Sequence, residues 1–411
     1  MTTKAPSQGS SSLPNRLGDR EFALLAALMM ALIAVGIDMM LPALPEISSD
    51  LGITGTNNQQ MIITALMASF IVGQIIFGPW SDNVGRKPLV ILGSGFFIIG
   101  GLICATADTL PVMLAGRLVQ GLGVAALRIL VLSMIRDLYE GAAMARMISL
   151  VLSLFVLMPC LAPMIGQITL QTSGWRMIFF LQVIASALIL AWFCLRQPET
   201  LAQQNKRPFS LKGLVVGMRE TWKHTETLSY TLAIGMVTGV YYSYLFSAQQ
   251  MFHDVFHVGN KFVLYFAMLA FMYGLANQVN ARLVMRFGPK KLVRIASTVM
   301  IVASLAMLFS SEFYGTELPL TLFMAIMLVV FACNSFLFGN LNSLAMQPLG
   351  HMAGMAVSVI NLLSGVVAWM IGTYVGHLFN NTVIPFAIAA IICGTVSWAA
   401  IRRGGRQVAT A

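Results

Sequence analysis

Residues 85–89, Gly-Arg-Lys-Pro-Leu, return in altered form about half a chain length later, as Gly-Pro-Lys-Lys-Leu at residues 288–292. Each of these short basic segments separates two long apolar runs. A glycine followed by basic residues is a common connection between helices, so this repeat alone is weak evidence for an internal duplication. With six apolar runs on either side of a polar centre, it indicates two related halves joined in tandem.

Composition places the chain in a membrane. Of its 411 residues, 58% are hydrophobic and 10% are charged, and the mean hydropathy is +0.81. A soluble domain carries about 25% charged residues, so this chain could not cover a water-facing surface. The net charge of +10 is spread over short clusters between apolar runs. No single basic face results, which excludes nucleic acid as a partner and leaves the lipid bilayer.

Twelve apolar runs have the roughly 20 residues that cross a bilayer core. They lie near residues 22–45, 60–80, 89–106, 112–135, 145–168, 176–196, 227–250, 258–283, 292–311, 319–343, 354–378 and 383–401. The sequence therefore predicts an all-α integral membrane protein, with 12 transmembrane helices in two six-helix bundles. The predicted divisions are an N-tail at 1–21, bundles at 22–196 and 227–401, a linker at 197–226 and a C-tail at 402–411.

Basic residues fix the predicted orientation. Most of the 25 Lys and Arg residues fall in the two tails, the linker and every second loop. The exceptions are Arg176 and Lys261 in the opposite loops, and Arg117 and Arg128 inside the fourth run. The positive-inside rule then places both termini, the linker and the basic loops in the cytoplasm.

Motifs for catalysis and metal binding are missing from the sequence. The five cysteines lie far apart within apolar runs, without the spacing of a metal site or a disulfide framework. His253 and His257 are four residues apart but lack a third ligand. The sequence also lacks a phosphate-binding loop, a nucleophile elbow and a dinucleotide fingerprint. We therefore expect no enzyme activity, no metal and no cofactor.

Charged side chains within apolar runs are rare, and each needs a reason. Asp38 lies in the outer part of the first predicted helix, in the sequence Gly-Ile-Asp-Met-Met-Leu-Pro of residues 36–42. A carboxyl group in such surroundings can take up and release a proton as its environment changes. The alternative is a residue at the helix end that already contacts water.

Two arginines share the fourth predicted helix. Arg117 and Arg128 are eleven residues apart, which places them on one face and about 16 Å apart along the axis. Arg117 lies near the depth of Asp38, so an Asp38–Arg117 pair is possible. Arg128 has no identifiable acidic partner and could bind an anionic substrate, or it could extend its side chain to the cytoplasmic surface.

Other residues suit either a binding cavity or helix packing. The candidates for substrate contact are Gln120, Thr238, Tyr241, Tyr242, Asn334 and Phe338. Thr238, Tyr241 and Tyr242 share one helix face. Small residues and prolines that permit close contact or bending are Gly116, Gly121 and Gly123 in the fourth helix, and Pro159, Pro163 and Gly166 in the fifth.

Several segments resemble the major facilitator superfamily. Residues 78–88, Gly-Pro-Trp-Ser-Asp-Asn-Val-Gly-Arg-Lys-Pro, resemble its signature loop, and residues 117–123 resemble its fourth-helix motif. Residues 159–166 resemble the fifth-helix motif of drug exporters. Residues 37–45 and 134–139 are similar to the Bcr/CflA drug-resistance subfamily. The resemblance covers the first half closely and the second half mainly by helix number.

The resemblance implies roles for single residues. Asp38 matches the acid that carries the proton, and Arg117 matches the arginine that tunes it. A cytoplasmic latch that holds the outward-facing state is implied for Gly78, Asp82, Gly85, Arg86 and Asp137. In that latch Arg86 would bridge to Asp137, and Asp82 would lie at the N-terminal end of the eleventh helix.

The sequence departs from the family pattern at several positions. Met285 occupies the position in the second half that corresponds to Asp82. Ala162 stands before Pro163 where exporters usually carry glycine, and Gln167 replaces a second glycine. Arg128 is outside the family pattern. These departures leave the direction of transport open.

The sequence therefore predicts a proton-coupled secondary transporter that exports small organic molecules by alternating access. A drug, an antibiotic or a siderophore-like compound would fit, and Arg128 favours an anionic one. Uptake of a nutrient or siderophore is the alternative, followed by a membrane-embedded enzyme or sensor. We expect a monomer in the inner membrane of a bacterium, with protons and a small-molecule substrate as its partners.

Overall fold

The computed structural model describes residues 17–55, 57–206, 219, 223–348 and 353–407. In chain order its α-helices are α1 Asp19–Asp38, α2 Leu44–Asp50, α3 Met61–Val84, α4 Arg86–Ala105, α5 Leu110–Leu138, α6 Gly141–Val156, α7 Met158–Ser173, α8 Trp175–Arg196, α9 Thr225–Gln250, α10 Phe262–Phe287, α11 Pro289–Tyr314, α12 Leu320–Met346, α13 Ala353–His377 and α14 Ile384–Gln407. We call α1–α8 the first helix group and α9–α14 the second. Most of the predicted tails and linker lies outside the described residues.

The prediction of a multi-pass helical membrane protein is confirmed. Within the described ranges, eleven stretches are long and apolar enough to cross a membrane, with α1–α2 and α6–α7 each forming one stretch. Large apolar side chains also face outward, among them Leu195, Phe309 and Phe313, which are 83%, 70% and 82% exposed. Only lipid tolerates such a surface on a folded chain.

Helix α9 matches the seventh predicted span in position, but it is less apolar than the eleven stretches. It is 26 residues long, and its buried side carries polar residues such as Thr231, Ser243, Ser247 and Gln249. Their hydroxyl and amide groups face protein rather than lipid. The low hydropathy of α9 therefore follows from its place inside the helix assembly.

Two of the predicted continuous helices are broken. The first run ends as α1 at Asp38, passes through a short 3₁₀ turn at Leu41–Ala43 and continues as α2. The fifth run breaks at Leu157, between α6 and α7, two residues before Pro159. Proline lacks a backbone N–H and cannot continue a regular helix at that position. Both breaks lie next to the cavity described below.

Polar contacts mark one face of the helix assembly, here called the near face. Tyr139 donates a hydrogen bond to Asp19 at 2.9 Å, and Arg196 forms a 3.0 Å ion pair with Glu21. Asp19 and Glu21 belong to the first turn of α1, whereas Tyr139 and Arg196 lie at the ends of α5 and α8. The near face therefore contains the start of α1.

The opposite face, here called the far face, has contacts of its own. Arg176 at the start of α8 lies 3.4 Å from Asp50 and 3.0 Å from Asp108. Asp50 ends α2, and Asp108 lies in the connection between α4 and α5. These contacts place the start of α1 and the ends of α5 and α8 at the near face, and the end of α2, the start of α5 and the start of α8 at the far face. These spans of the first helix group therefore run in alternating directions, as the pattern of basic loops predicts.

Candidate functional site

A cavity of about 300 Å³ lies between the two helix groups. Helices α1, α3, α5, α6 and α7 line it from one side, and α9, α10, α12 and α13 line it from the other. Seven of the residues predicted for proton coupling or substrate contact are among its walls, namely Asp38, Arg128, Thr238, Tyr241, Tyr242, Asn334 and Phe338. Because the cavity is shared between the groups, its walls would change if one group moved against the other.

Asp38 is buried and lines this cavity. It is the last residue of α1, and 4% of it is exposed. The next residues, Met39, Met40 and Leu41, are also buried, so the helix ends inside the protein and not at the water interface. In the described part of the chain, the carboxylate has neither a hydrogen bond nor an ion pair. A buried carboxylate without a partner is costly when charged, which makes it suited to carrying a proton.

Arg117 is fully buried, but it does not pair with Asp38. Its guanidinium donates to the carbonyl oxygens of Ile62 at 3.1 Å and Gly36 at 2.8 Å, and to the side-chain oxygen of Gln120 at 2.6 Å. These three acceptors engage all three of its nitrogen atoms. The possible Asp38–Arg117 pair is therefore not formed, because neutral oxygens surround the guanidinium instead.

Gln120 was expected to contact substrate, and here the structure differs. It is fully buried, accepts from Arg117 and donates to Gln182 at 2.8 Å, and Gln182 donates to the carbonyl of Val35 at 3.1 Å. All the polar groups of Gln120 are used within this network, away from the cavity walls. Gln182 was missed, since a single glutamine in the sixth span gives no signal in the sequence.

The network fixes the end of α1. The last four carbonyls of a helix have no partner within it. Arg117 and Gln182 supply donors for two of these carbonyls, Gly36 and Val35. A third contact comes from α7, where a Cβ added to Gly166 would overlap the carbonyl oxygen of Met39. Helices α5, α7 and α8 therefore hold the backbone around Asp38.

Arg128 faces the cavity rather than the cytoplasmic surface. Its guanidinium lies 5.6 Å from the centre of the Phe70 ring, and the side chain is partly buried. Across the described residues it forms no ion pair and no hydrogen bond. A guanidinium carries five N–H donors, so Arg128 presents unused donors and a positive charge to the cavity.

Aromatic rings of the second helix group form the opposite wall. Tyr241 lies 6.1 Å from Tyr242, 6.0 Å from Tyr273 and 6.0 Å from Phe331, measured between ring centres. Tyr244 packs edge-on against Phe331 at 4.9 Å. Tyr244 and Tyr273 also line the cavity and were not predicted. Tyr244 could have been found from the sequence, because it follows Tyr241 by three residues and so shares its helix face.

The remaining predicted cavity residues have mixed environments. Asn334 donates to the carbonyl of Val237 at 2.7 Å, which ties α12 to α9. The hydroxyl of Thr238 is buried without a hydrogen-bond partner in the described chain. Phe338 lies on the cavity wall and is 37% exposed. Thr238 therefore presents a buried hydroxyl group without a partner in the described residues.

The predicted packing residues lie at close helix contacts. A Cβ on Gly121 would overlap the Ser69 hydroxyl and the Leu66 carbonyl, so α5 and α3 touch there. Pro163 is buried inside α7, and Pro159 lines the cavity just after the break before α7. These positions bring the helix backbones close around the cavity.

The implied latch residues come together at the near face. Arg86 lies 2.8 Å from Asp137 and 2.7 Å from Asp82, and it also donates to Ser81 at 2.5 Å. Gly85 ends α3 with φ = 121°, a conformation that L-residues other than glycine rarely adopt. Gly78 lies in the preceding turn, where its carbonyl accepts from Ser81 at 2.8 Å. The expected position of Asp82 at the N-terminal end of the eleventh predicted span, which is α13 in the structure, stays a prediction.

Glu199 completes this near-face cluster and was not predicted. Its carboxylate accepts from the backbone N–H groups of Arg86 at 2.9 Å and Lys87 at 3.0 Å, at the start of α4. Thr200 donates to Asp137 at 3.1 Å. A carboxylate is favourable at the positive end of a helix. The segment after α8 therefore folds back onto the latch.

Comparison with known proteins settles the family. The family model described as Major Facilitator Superfamily matches residues 26–373. The chain belongs to the Major Facilitator Superfamily. This confirms the resemblance found in the sequence, and it places the cavity and the near-face cluster within a family of membrane transporters.

Relatives align with this superfamily member over nearly their whole length. An uncharacterised MFS-type transporter, YdgK, of Bacillus subtilis is 28% identical over 395 residues, which cover 93% of this chain and 96% of that protein. A bicyclomycin resistance protein homolog of Haemophilus influenzae is 25% identical, over 92% and 94% of the two chains. The structure of a bacterial homolog to the human lysosomal transporter Spinster superposes with a TM-score of 0.77 at 15% identity, over 96% and 98%.

A group of amide side chains joins the two helix groups of this superfamily member at the far face. Gln60 donates to Gln250, and Gln250 donates to Asn57 at 3.1 Å. Asn57 donates in turn to the carbonyls of His377 and Phe379, both at 2.9 Å. We call this set the amide clasp. It carries no charge and links residues before α3 to the ends of α9 and α13.

Proposed function

We propose that the chain is a proton-coupled secondary transporter that exports small organic molecules by alternating access. In this proposal α9 is the seventh of 12 membrane spans, and the spans form two six-helix bundles over residues 22–196 and 227–401. Both termini lie in the cytoplasm of a bacterium, and the protein works as a monomer in the inner membrane. The proton gradient supplies the energy, without a cofactor.

The observation that carries the proposal is the position of Asp38. It is a buried carboxylate without a partner in the described residues, on the wall of a cavity shared by both helix groups. Charged residues inside membrane spans are costly and serve transport pathways or proton relays. Protonation of Asp38 from outside would favour return to the inward-facing state, and substrate binding would favour release of the proton.

The relatives support export as the direction. The Haemophilus relative is named for bicyclomycin resistance, and a Pseudomonas aeruginosa relative, 27% identical, is named for chloramphenicol resistance. Resistance to these antibiotics fits removal from the cell. Together with residues 37–45 and 134–139, this supports a place in the Bcr/CflA subfamily. A drug, an antibiotic or a siderophore-like compound is the expected cargo.

The contacts between the groups support an inward-facing conformation. The amide clasp and the Gln167–Asn260 contact at 3.4 Å join the two groups at the far face. Under the proposed orientation the far face is periplasmic, so the cavity is closed to the outside. The Arg86–Asp137 bridge lies within the first helix group and would take part in near-face closure during the other half of the cycle.

The proposal is tested in energised, inverted membrane vesicles with a fluorescent reporter of the interior proton gradient. Candidate antibiotics should reduce the gradient in wild type and not in Asp38→Asn. Asp108→Asn is the matched control, because Asp108 is an exposed acid at the far face, away from the cavity. Equal responses of wild type and Asp38→Asn would refute Asp38 as the coupling acid. Loss of substrate from preloaded inverted vesicles would instead support uptake.

A further inference from the structure

The two helix groups give the cavity different chemistry. Asp38 and Arg128, both from the first group, are the charged residues among its described walls. The second group contributes aromatic rings and neutral polar groups, including Tyr241, Tyr242 and Asn334. Whatever binds there meets a charged wall on one side and an aromatic wall on the other.

The positive charge of Arg128 is not balanced by the protein around it. Its guanidinium makes a cation–π contact with Phe70 but no ion pair within the described ranges. A cation removed from water is costly unless an anion or hydrogen-bond acceptors replace the lost hydration. A ligand with a carboxylate, sulfonate or phosphonate group offers paired oxygens that match the guanidinium fork.

Asp38 is too far away to neutralise Arg128. The guanidinium of Arg117 binds the carbonyl of Gly36, two residues before Asp38. Arg128 follows Arg117 by eleven residues on the same helix, a rise of about 16 Å toward the near face. Two unit charges at that distance interact by about 1 kcal/mol at an effective dielectric constant near 20. The proton site and the cationic site therefore lie at different depths of the cavity.

The aromatic wall and two unused hydroxyl groups also point to a ligand. The Tyr241 ring contacts Tyr242, Tyr273 and Phe331, which together form a broad apolar surface. The Tyr244 hydroxyl lines the cavity and is buried without a hydrogen-bond partner in the described chain, as is that of Thr238. A volume of about 300 Å³ suits a ligand of one or two rings.

We propose that the substrate is an aromatic organic anion, with its acidic group bound by Arg128 and its ring packed against Tyr241 and Tyr242. This proposal rests on the proposed function and names its substrate class. A cationic ligand with its ring in the same position against Tyr241 and Tyr242 would bring its charge near Arg128 and be repelled, since Asp38 lies at a different depth of the cavity. A neutral ligand would keep the ring contacts but leave Arg128 without an anion.

The test uses three naphthalene probes of matched shape and different charge. Full-length protein in lipid nanodiscs is titrated with naphthalene-2-sulfonate, naphthalene-2-sulfonamide and naphthalen-2-ylmethylammonium, with empty nanodiscs as the blank. Wild type should bind the sulfonate at least about tenfold more tightly than the sulfonamide, since a charge-assisted bond is lost with the amide. The ammonium should bind least tightly.

Variants assign this preference to residues. Arg128→Gln should reduce the sulfonate preference to near parity, and Arg128→Lys should retain part of it because the charge remains. Tyr241→Leu should weaken sulfonate and sulfonamide binding by similar factors, because it removes ring contacts and no charge. Size-exclusion profiles and melting temperatures show whether each variant is folded.

The proposal is overturned if wild type fails to bind the sulfonate, binds it no better than the sulfonamide, or prefers the ammonium. It is also overturned if folded Arg128→Gln keeps the wild-type ratio. The ratio of sulfonamide to sulfonate dissociation constants is measured on wild type, so it tests the proposal even if a variant does not fold. Binding needs no proton gradient, so the sulfonate preference of wild type is measured independently of proton coupling. Failure of proton coupling with that preference intact would therefore refute the proposed function alone.

Discussion

The amide clasp should set how often the far face opens, and Gln250→Leu tests this directly. Leucine keeps much of the side-chain volume but removes the hydrogen bonds to Gln60 and Asn57. Each neutral hydrogen bond contributes about 0.5–1.5 kcal/mol, so the far-closed state loses about 1–3 kcal/mol. That corresponds to a shift of about 5- to 150-fold toward the far-open state.

Distances between spin labels can measure this shift. The five native cysteines are first replaced, and pairs of labels are then placed on exposed positions of the two groups. Thr109 and Glu317 report on the far face, whereas Glu140 and Gln347 report on the near face. In Gln250→Leu the far-face distances should lengthen while the near-face distances shorten.

Gln249→Leu is the matched control, on the same helix turn. Gln249 accepts from Gln59 at 3.4 Å, a longer and weaker contact than those of Gln250, so its loss should shift the populations less. If Gln250→Leu leaves both distance distributions as in wild type, or acts no more strongly than Gln249→Leu, the clasp does not hold the far face closed. The proposal that the amide clasp keeps the cavity closed at the periplasmic side would then be wrong.

Two further predictions concern stability. Gly121→Val should lower the melting temperature in detergent, because the new side chain overlaps α3 and overpacking costs about 1–3 kcal/mol. Gly78→Ala should be tolerated, because the nearest atom to a Cβ at that position is 4.0 Å away. Equal melting temperatures for these two variants would contradict the packing argument. Glu199→Gln should destabilise the start of α4 by about 0.5–2 kcal/mol in the same assay, and Glu312→Gln, at an exposed residue in the last turn of α11, should not. An unchanged melting temperature for Glu199→Gln would show that its charge does not matter there.

The membrane spans could be predicted because lipid imposes a simple rule on sequence. Each crossing needs about 20 apolar residues with all backbone groups bonded inside the helix. The sixth and seventh runs, predicted at 176–196 and 227–250, are Trp175–Arg196 and Thr225–Gln250 in the structure. The breaks after Asp38 and at Leu157 were not placed, because both fall inside continuous apolar runs. The contact of Gly166 with Met39 lies at the first break, and hydropathy does not record such tertiary contacts. The second break lies two residues before Pro159, a proline that hydropathy also does not weigh.

The site residues that could be predicted from the sequence were mainly the charged ones. Asp38 and Arg128 stood out because charged residues are rare in apolar runs, and both line the cavity. The environment of Arg117 was not visible, since its main acceptors are backbone carbonyls, which every residue has. Glu199 was missed for a related reason. A glutamate in a polar linker is ordinary, and only the folded chain brings it to the start of α4.

These contacts suggest how movement between the groups could change the proton affinity of Asp38. Its backbone is held by Arg117, Gln182 and Gly166, which all belong to the first helix group and would move with it. The open side of Asp38 faces the cavity and the tyrosines of α9 in the second group. If the groups separate at the far face, the fixed contacts stay while water replaces the aromatic wall. The free energy of the charged Asp38 carboxylate then depends on the conformation of the protein, because its surroundings change on the cavity side and stay fixed on the other. Proton-driven exchange requires such a dependence.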